Sequence, residues 1–318
     1  MEASTTVELD GQYRALREEA GFVERSARGI LIARGSEAAD YLESQLTNEV
    51  DTRAPGEGCY AALLDRKGHM RADMRVLRLD DDELWLDSEP VGTEALRRHL
   101  ETYKIGRQVE IADVSSDHAL ISVLGPGAAE LTGAGPLSPE HAHRELDLRG
   151  TRCRAVATDL GVDLIAPADE TGAVATALRD AGVAEVSEQA AEIVRVESGR
   201  PRFGAEMTEA TIPAEAGINE RAVSFTKGCY IGQETVARLH YKGKPNRHLR
   251  GLRLERPADA GEAIRLGERE LGAVGTACVS PALGPIALAI VRREGEPGER
   301  VAVGEAGTSA EIVELPFR

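Results

Sequence analysis

An apolar strand that ends in glycine and runs directly into a helix of small residues occurs twice in this chain. Residues 30–42 read ILIARGSEAADYL and residues 119–131 read ALISVLGPGAAEL, with Gly35 and Gly125 90 residues apart. The repeat predicts two related α+β halves in the first two-thirds of the chain, the second beginning near residue 118. In the first copy Ser36 is placed to cap a helix that carries Leu42 and Leu46 on one face. Between the copies, residues 59–88 (CYAALLDRKGHMRADMRVLRLDDDELWLDS) read as a three-stranded meander with turns at RKG and DDD, followed by a helix over 94–103 carrying Leu96 and Leu100. After the second copy the pattern predicts strands near 152–158 and 161–166 and helices near 169–181 and from Ser187 to about Ser198. Ser187 is the expected N-cap of the latter, with Ala190, Ala191 and Val194 facing inward.

From residue 246 the texture changes to short apolar runs (LRGLRLE, LGAVGTACVS, PIALAIVRR, ERVAVG, SAEIVEL) separated by Gly and Pro, the pattern of a small all-β barrel or sandwich. A boundary near Pro245 divides the chain into an α+β region, 1–245, and a β domain, 246–318. Aromatic residues make up only 3% of the 318, so the cores must be built from Leu, Val, Ile and Ala. No apolar run reaches the roughly 18 residues of a membrane span, and the acidic N-terminus, MEASTTVELDGQYRALREEAG, lacks the basic flank of a signal peptide. A cytoplasmic monomer without membrane contact is the expectation. The net charge of −16 argues against a general binder of nucleic acid or membrane surfaces. Cys59, Cys153, Cys229 and Cys278 show no metal-ligand spacing, and three of them read as small buried hydrophobes.

Four stretches carry possible chemistry. In TKGCYIGQET, residues 226–235, Cys229 lies beside Lys227 and ahead of a helical stretch, GQETVARLHY, with Glu234 in its first turn. Both neighbours favour the thiolate, and a nucleophilic or metal-binding thiol is one reading; a buried turn cysteine packed beside Tyr230 is the other. In IVRVESGRPRFGAEM, residues 193–207, Glu197 is either a ligand carboxylate or a member of an ordinary ion pair with Arg195 and Arg200. Asp73 sits on a strand leaving the RKG turn. Residues 238–256 (RLHYKGKPNRHLRGLRLER) hold seven Arg or Lys and one acid, a solvated basic face or a seat for an anionic chain such as RNA or polyglutamate.

Taken in order, residues 30–74, then RVESGRPRFGAEM, PAEAGI and KGCYIGQET resemble the folate-binding family of the glycine-cleavage aminomethyltransferase (GcvT) and, more closely, its YgfZ branch. The resemblance implies a GcvT-like folate-binding domain of two interlocked α+β halves followed by a C-terminal β-barrel, with tetrahydrofolate as cofactor. It implies that Glu197 grips the pterin ring, since a carboxylate can accept two parallel hydrogen bonds, and that Tyr60 and Asn48 line the pocket. The reactive aspartate of the transferases falls on Asp73. One segment departs: DSEPVG, residues 87–92, stands where the transferases carry an Asn-Ala segment that helps hold the pterin. The role expected on this basis is a tetrahydrofolate-binding accessory protein for iron–sulfur cluster assembly or repair in client enzymes, tRNA-modifying ones included. Cys229 would be its working thiol, Lys227 and Arg238 would lie near the thiol or the folate tail, and a weak tRNA contact would run through 238–256. The alternatives are a folate-dependent aminomethyl or one-carbon transferase, and a non-catalytic folate- or tRNA-binding module.

Overall fold

The structure, a computed structural model, describes residues 2–317. Two compact units emerge: one gathers the chain up to Leu64 with Arg71–Ala191 and Arg221–Ile231, the other Asp65–Met70, Glu192–Glu220 and the chain from Gly232 onward.

The first unit is built on two sheets of one plan. In the five-stranded sheet the order is Gly58–Leu64, Met70–Asp80, Glu83–Ser88, Gly29–Arg34, Glu110–Asp113. In the six-stranded sheet the matching order is His143–Leu148, Thr151–Ala157, Gly161–Pro167, His118–Leu124, Gly21–Glu24, Ala184–Glu185. Each contains a three-stranded meander whose last strand, Glu83–Ser88 in one and Gly161–Pro167 in the other, pairs with the strand that opened the half. The halves interlock because Gly21–Glu24, from the start of the chain, enters the second half's sheet between His118–Leu124 and Ala184–Glu185.

The repeated glycines explain why the plan is legible twice. Gly35 has φ +138° and Gly125 φ +118°, conformations that side chains rarely adopt. A Cβ would stand 2.2 Å from the Gln108 carbonyl oxygen at the first and 2.6 Å from that of Glu19 at the second. Each glycine N–H donates at 2.8 Å to the turn of the adjoining hairpin, at Asp82 O and Leu160 O.

In the first half Tyr41, Leu42 and Leu46 pack with Leu96 and Leu100 against Leu31, Ala33, Leu84 and Leu86. The expected Ser36 cap is not formed. Glu37 occupies the cap position of the helix Ala38–Gln45, and the Ser36 hydroxyl donates to Gln108 Oε1 instead. The next helix, Pro90–Tyr103, begins ahead of the expected 94 because Pro90 has no N–H to leave unsatisfied in the first turn. In the second half Phe22, Ile121, Val123, Ala155 and Leu164 pack with Val174 and Leu178 of the helix Thr171–Asp180. The Ser187 hydroxyl accepts from Ala190 N at 3.3 Å, at the start of the helix Glu188–Glu197. The opposite faces of both sheets meet through Ile30, Leu77, Leu120, Val156 and Ile165.

The second unit contains a closed barrel in the order Arg247–Leu254, Gly284–Arg292, Arg269–Ser280, Ala263–Leu266, Arg300–Val303, Thr308–Val313. Leu252, Ile264, Val274, Ala287, Val291 and Ile312 fill it, the aliphatic packing that a chain poor in aromatics must use. The α+β region followed by a six-stranded barrel is the expected fold class. Among the described residues no helix is long and apolar enough to cross a membrane.

Candidate functional site

In the first unit Tyr60 and Asp73 project from neighbouring strands, and the Tyr60 hydroxyl donates to Asp73 Oδ2 at 2.6 Å. Asp73 is 8% exposed. Its other oxygen, Oδ1, has no hydrogen-bond partner beyond the near approach of its own backbone N–H. Burial pushes the Asp73 carboxyl up to about 6; the Tyr60 hydrogen bond and the Arg28 charge oppose that rise and the Glu89 charge adds to it. A carboxyl that titrates near neutrality and keeps one oxygen open can accept or return a proton at pH 7.

Two of the acids near this pair, Asp87 and Glu89, come from the segment DSEPVG. Arg28 Nε donates to Asp87 Oδ1 at 2.6 Å and Nη1 donates to Glu89. Arg75 donates to Asp87 as well and reaches Asp163 on the other sheet. Asp87, fully buried, is therefore held by two guanidiniums, which keep its carboxyl below the usual carboxylate range against the cost of burial. DSEPVG thus supplies Asp87, Glu89 and the helix-starting Pro90.

Asn48 and Lys227 turn out to be builders of the backbone around the pair. The Asn48 amide donates to Tyr60 O at 2.9 Å and to Arg221 O at 3.0 Å, and its Oδ1 accepts from Glu49 N. The Lys227 ammonium donates to the carbonyls of Glu43, Leu46 and Asn48 at 2.6–2.8 Å and pairs with the Glu43 carboxylate at 3.2 Å. It satisfies carbonyls that the end of the helix Ala38–Gln45 leaves open. All three of its donors are spent on this capping role, and burial is the main reason its pKa falls below the usual lysine value. Ser224 and Thr226 add hydroxyl bonds to Glu49 Oε1, and the segment 221–227 is stitched onto residues 46–49. Cys229 is exposed, whereas its neighbour Tyr230 is buried beneath the Lys227 ammonium, 5.4 Å from the ring centroid. Of the other cysteines, Cys59 and Cys153 are buried and Cys278 is partly so.

Glu197 lies in the second unit at the end of the helix Glu188–Glu197. It is buried and accepts the Ser280 hydroxyl on Oε1 at 2.5 Å. Arg195, one of the two arginines expected to pair with it, joins Glu192 and Glu206 and donates to Thr276 Oγ1 at 2.8 Å. Arg238 is exposed on the helix Gln233–Lys242. The basic run 238–256 is not one open face, since Arg247 is paired with Glu215 and Arg250 with Glu314.

Sequence reasoning missed Arg28, Glu89, Glu140 and Arg221 around the Tyr60–Asp73 pair. The DSEPVG departure was a usable signal for Glu89; nothing local marks the others.

The fold defines the class first. Over 98% of its length the chain superposes on glycine cleavage system aminomethyltransferase T from Bartonella henselae, with a TM-score of 0.87, 21% identity and 89% of that protein covered. Residues 4–227 match the GCVT N-terminal domain and residues 247–318 the glycine cleavage T-protein C-terminal barrel domain, and the chain belongs to this family. It is 29% identical to an aminomethyltransferase of Rubrobacter xylanophilus over 97% of this chain and 86% of the relative. With an aminomethyltransferase of Mycobacterium avium it shares 26% identity over 96% of this chain and 88% of the relative. Relatives aligned over nearly the whole length and named as transferases overturn the expected main role as an accessory to iron–sulfur cluster assembly.

Proposed function

We propose that this protein binds a reduced folate and acts as a folate-dependent aminomethyl or one-carbon transferase. The observation that carries the reading is Asp73: buried, raised to about 6, fixed by Tyr60 through one oxygen and open at the other. The open Oδ1 suits an N–H donor, which a reduced pterin ring presents. When bound, tetrahydrofolate supplies the nitrogen that receives the one-carbon unit. Asp73 would take up the proton released there, with Tyr60 steadying the carboxylate through its hydroxyl and Arg28 with Glu89 setting the charge beside it. The family names of the relatives support the same reading. Within the superfamily the segment Lys227–Glu234 supports a place on the YgfZ branch, because the aminomethyltransferases share its Gly and IG-x-E but lack its Cys. No chemical step is assigned to Cys229.

The test is a reconstituted glycine-cleavage reaction from which the T protein has been left out. Adding this protein is expected to raise methylenetetrahydrofolate formation well above the protein-free rate, and formation at the protein-free rate overturns the proposal.

A further inference from the structure

Tyr60 is held from three directions. Its hydroxyl donates to Asp73, its backbone carbonyl accepts from Asn48, and the Arg221 guanidinium carbon stands 5.4 Å from its ring centroid. Arg221 is fixed in turn. Its Nη2 donates to Glu140 Oε1, and its backbone carbonyl accepts the second Asn48 amide hydrogen. The same Glu140 oxygen lies 3.6 Å from Nε2 of the buried His141. Burial, together with the Arg75 and Arg221 charges, pushes His141 down to about 3, so it stays neutral and leaves Glu140 to Arg221 alone. A guanidinium over a phenol ring is attracted to its π face. Burial and the Asp73 charge hold the Tyr60 hydroxyl well above the usual tyrosine range, and the Arg221 charge works against that rise, which makes the hydroxyl a stronger donor to Asp73.

We propose that Arg221, anchored by Glu140, is a positioning residue for Asp73: it clamps the Tyr60 ring so that the hydroxyl engages one carboxyl oxygen and leaves the other to the ligand. This rests on the role given to Asp73 above. The groups that face Asp73 directly are Tyr60 from the strand Gly58–Leu64, Arg28 from the turn before Gly29–Arg34, and Glu89 from the start of Pro90–Tyr103. Arg28 is already engaged by Asp87 and Glu89. Arg221 therefore acts through Tyr60, and substitutions at Arg221 and Glu140 must reproduce part of what removing the Tyr60 hydroxyl does.

The experiment is a carbon-detected NMR titration of the Asp73 carboxyl in the full-length wild type, Tyr60→Phe, Arg221→Met, Arg221→Lys, Glu140→Gln and the Arg221→Met/Glu140→Gln double variant. Denaturation midpoints are measured alongside. Losing the hydroxyl bond removes a stabiliser of the carboxylate, so the Asp73 midpoint is expected to rise in Tyr60→Phe and Arg221→Met. It should rise less in Glu140→Gln and Arg221→Lys, and no further in the double variant than in Arg221→Met. Transfer at pH 7 should fall about ten- to a hundredfold in Arg221→Met, the scale of a misplaced reacting group, with the KM for folate near wild type. If a folded Arg221→Met or Glu140→Gln protein titrates as wild type while Tyr60→Phe shifts, or if the two substitutions simply add, the clamp is overturned. A wild type that shows no transfer but keeps the predicted pattern of midpoints supports the clamp and removes only the chemistry assigned to Asp73.

Discussion

Counted from the turn glycines, Ile30 pairs with Asp87 in the five-stranded sheet and Leu120 pairs with Ile165 in the six-stranded one. One strand further on, Asp87 pairs with Arg75, and Ile165 with Arg154. Two residues earlier on those strands stand Asp73 in the first half and Arg152 in the second. Asp73 is buried against Tyr60, whereas Arg152 is exposed. One backbone plan thus carries a perturbed acid in one half and a solvated base in the other. The glycines that shape the plan are kept in both, which separates what the fold requires from what the chemistry requires.

The largest effect that would break this comparison is at Asp73. Asp73→Asn should lower one-carbon transfer by about 10²–10⁴, the range for loss of a general acid or base, as read by methylenetetrahydrofolate formation. Stability should not follow activity down. Burial raises the Asp73 pKa, so the native state binds its proton more tightly than the unfolded chain, and keeping the group ionised above about pH 6 costs folding free energy that is regained as the pH falls through that value. At pH 7 Asp73→Asn should therefore unfold at no lower denaturant concentration than wild type. A transferase-dead variant that is also less stable would make Asp73 a structural residue.

Next in size are the shared glycines. Gly35→Ala and Gly125→Ala each put a methyl group against a backbone carbonyl at positive φ, with the closer approach at Gly35, 2.2 Å against 2.6 Å. Backbone strain and overpacking, about 1–3 kcal/mol each, should lower the denaturation midpoint in both, more at Gly35. If either is tolerated without loss, that half does not need the plan. Lys227→Met comes third. It leaves three carbonyls without their donor, at a cost of about 1–3 kcal/mol for a buried group left unsatisfied. Urea unfolding should show the loss, and an unchanged midpoint would remove the capping role. Smallest is Arg152→Ala, the counterpart of Asp73, which should stay within about 0.5 kcal/mol of wild type and keep full activity. A defect there would mean that the second half carries chemistry as well.

The fold was legible because the constraints that make it are local. A strand, a glycine that must adopt positive φ and a run of small helical residues can all be seen within a dozen positions, and the barrel announces itself through turn spacing. The Ser36 cap failed because Gln108, brought in by another element, captures both the hydroxyl and the Glu37 carboxylate. The site was only half legible. Asp73, Tyr60 and Glu197 were named as candidates through resemblance, since a lone strand aspartate carries no local signal. Lys227 was placed near the thiol or the folate tail, whereas the partners of its ammonium lie 179–184 positions earlier in the chain, where no local pattern points. Arg221 and Glu140 are 81 positions apart, and only the folded chain pairs them. The iron–sulfur role rested on the resemblance of the segment around Cys229 to the YgfZ branch, and the aminomethyltransferase names of the full-length relatives outweigh it.

The central claim is that Asp73 works as an ionised carboxyl with its pKa raised by burial. The direct measurement is the pH dependence of the one-carbon transfer rate between about pH 5 and 8, for wild type and Asp73→Asn. If the carboxylate is the active form, the wild-type rate is level above about 6 and falls roughly tenfold per pH unit below it. The residual rate of Asp73→Asn should show no such break. A wild-type profile that is flat through pH 6, or a break that survives in Asp73→Asn, would contradict the account.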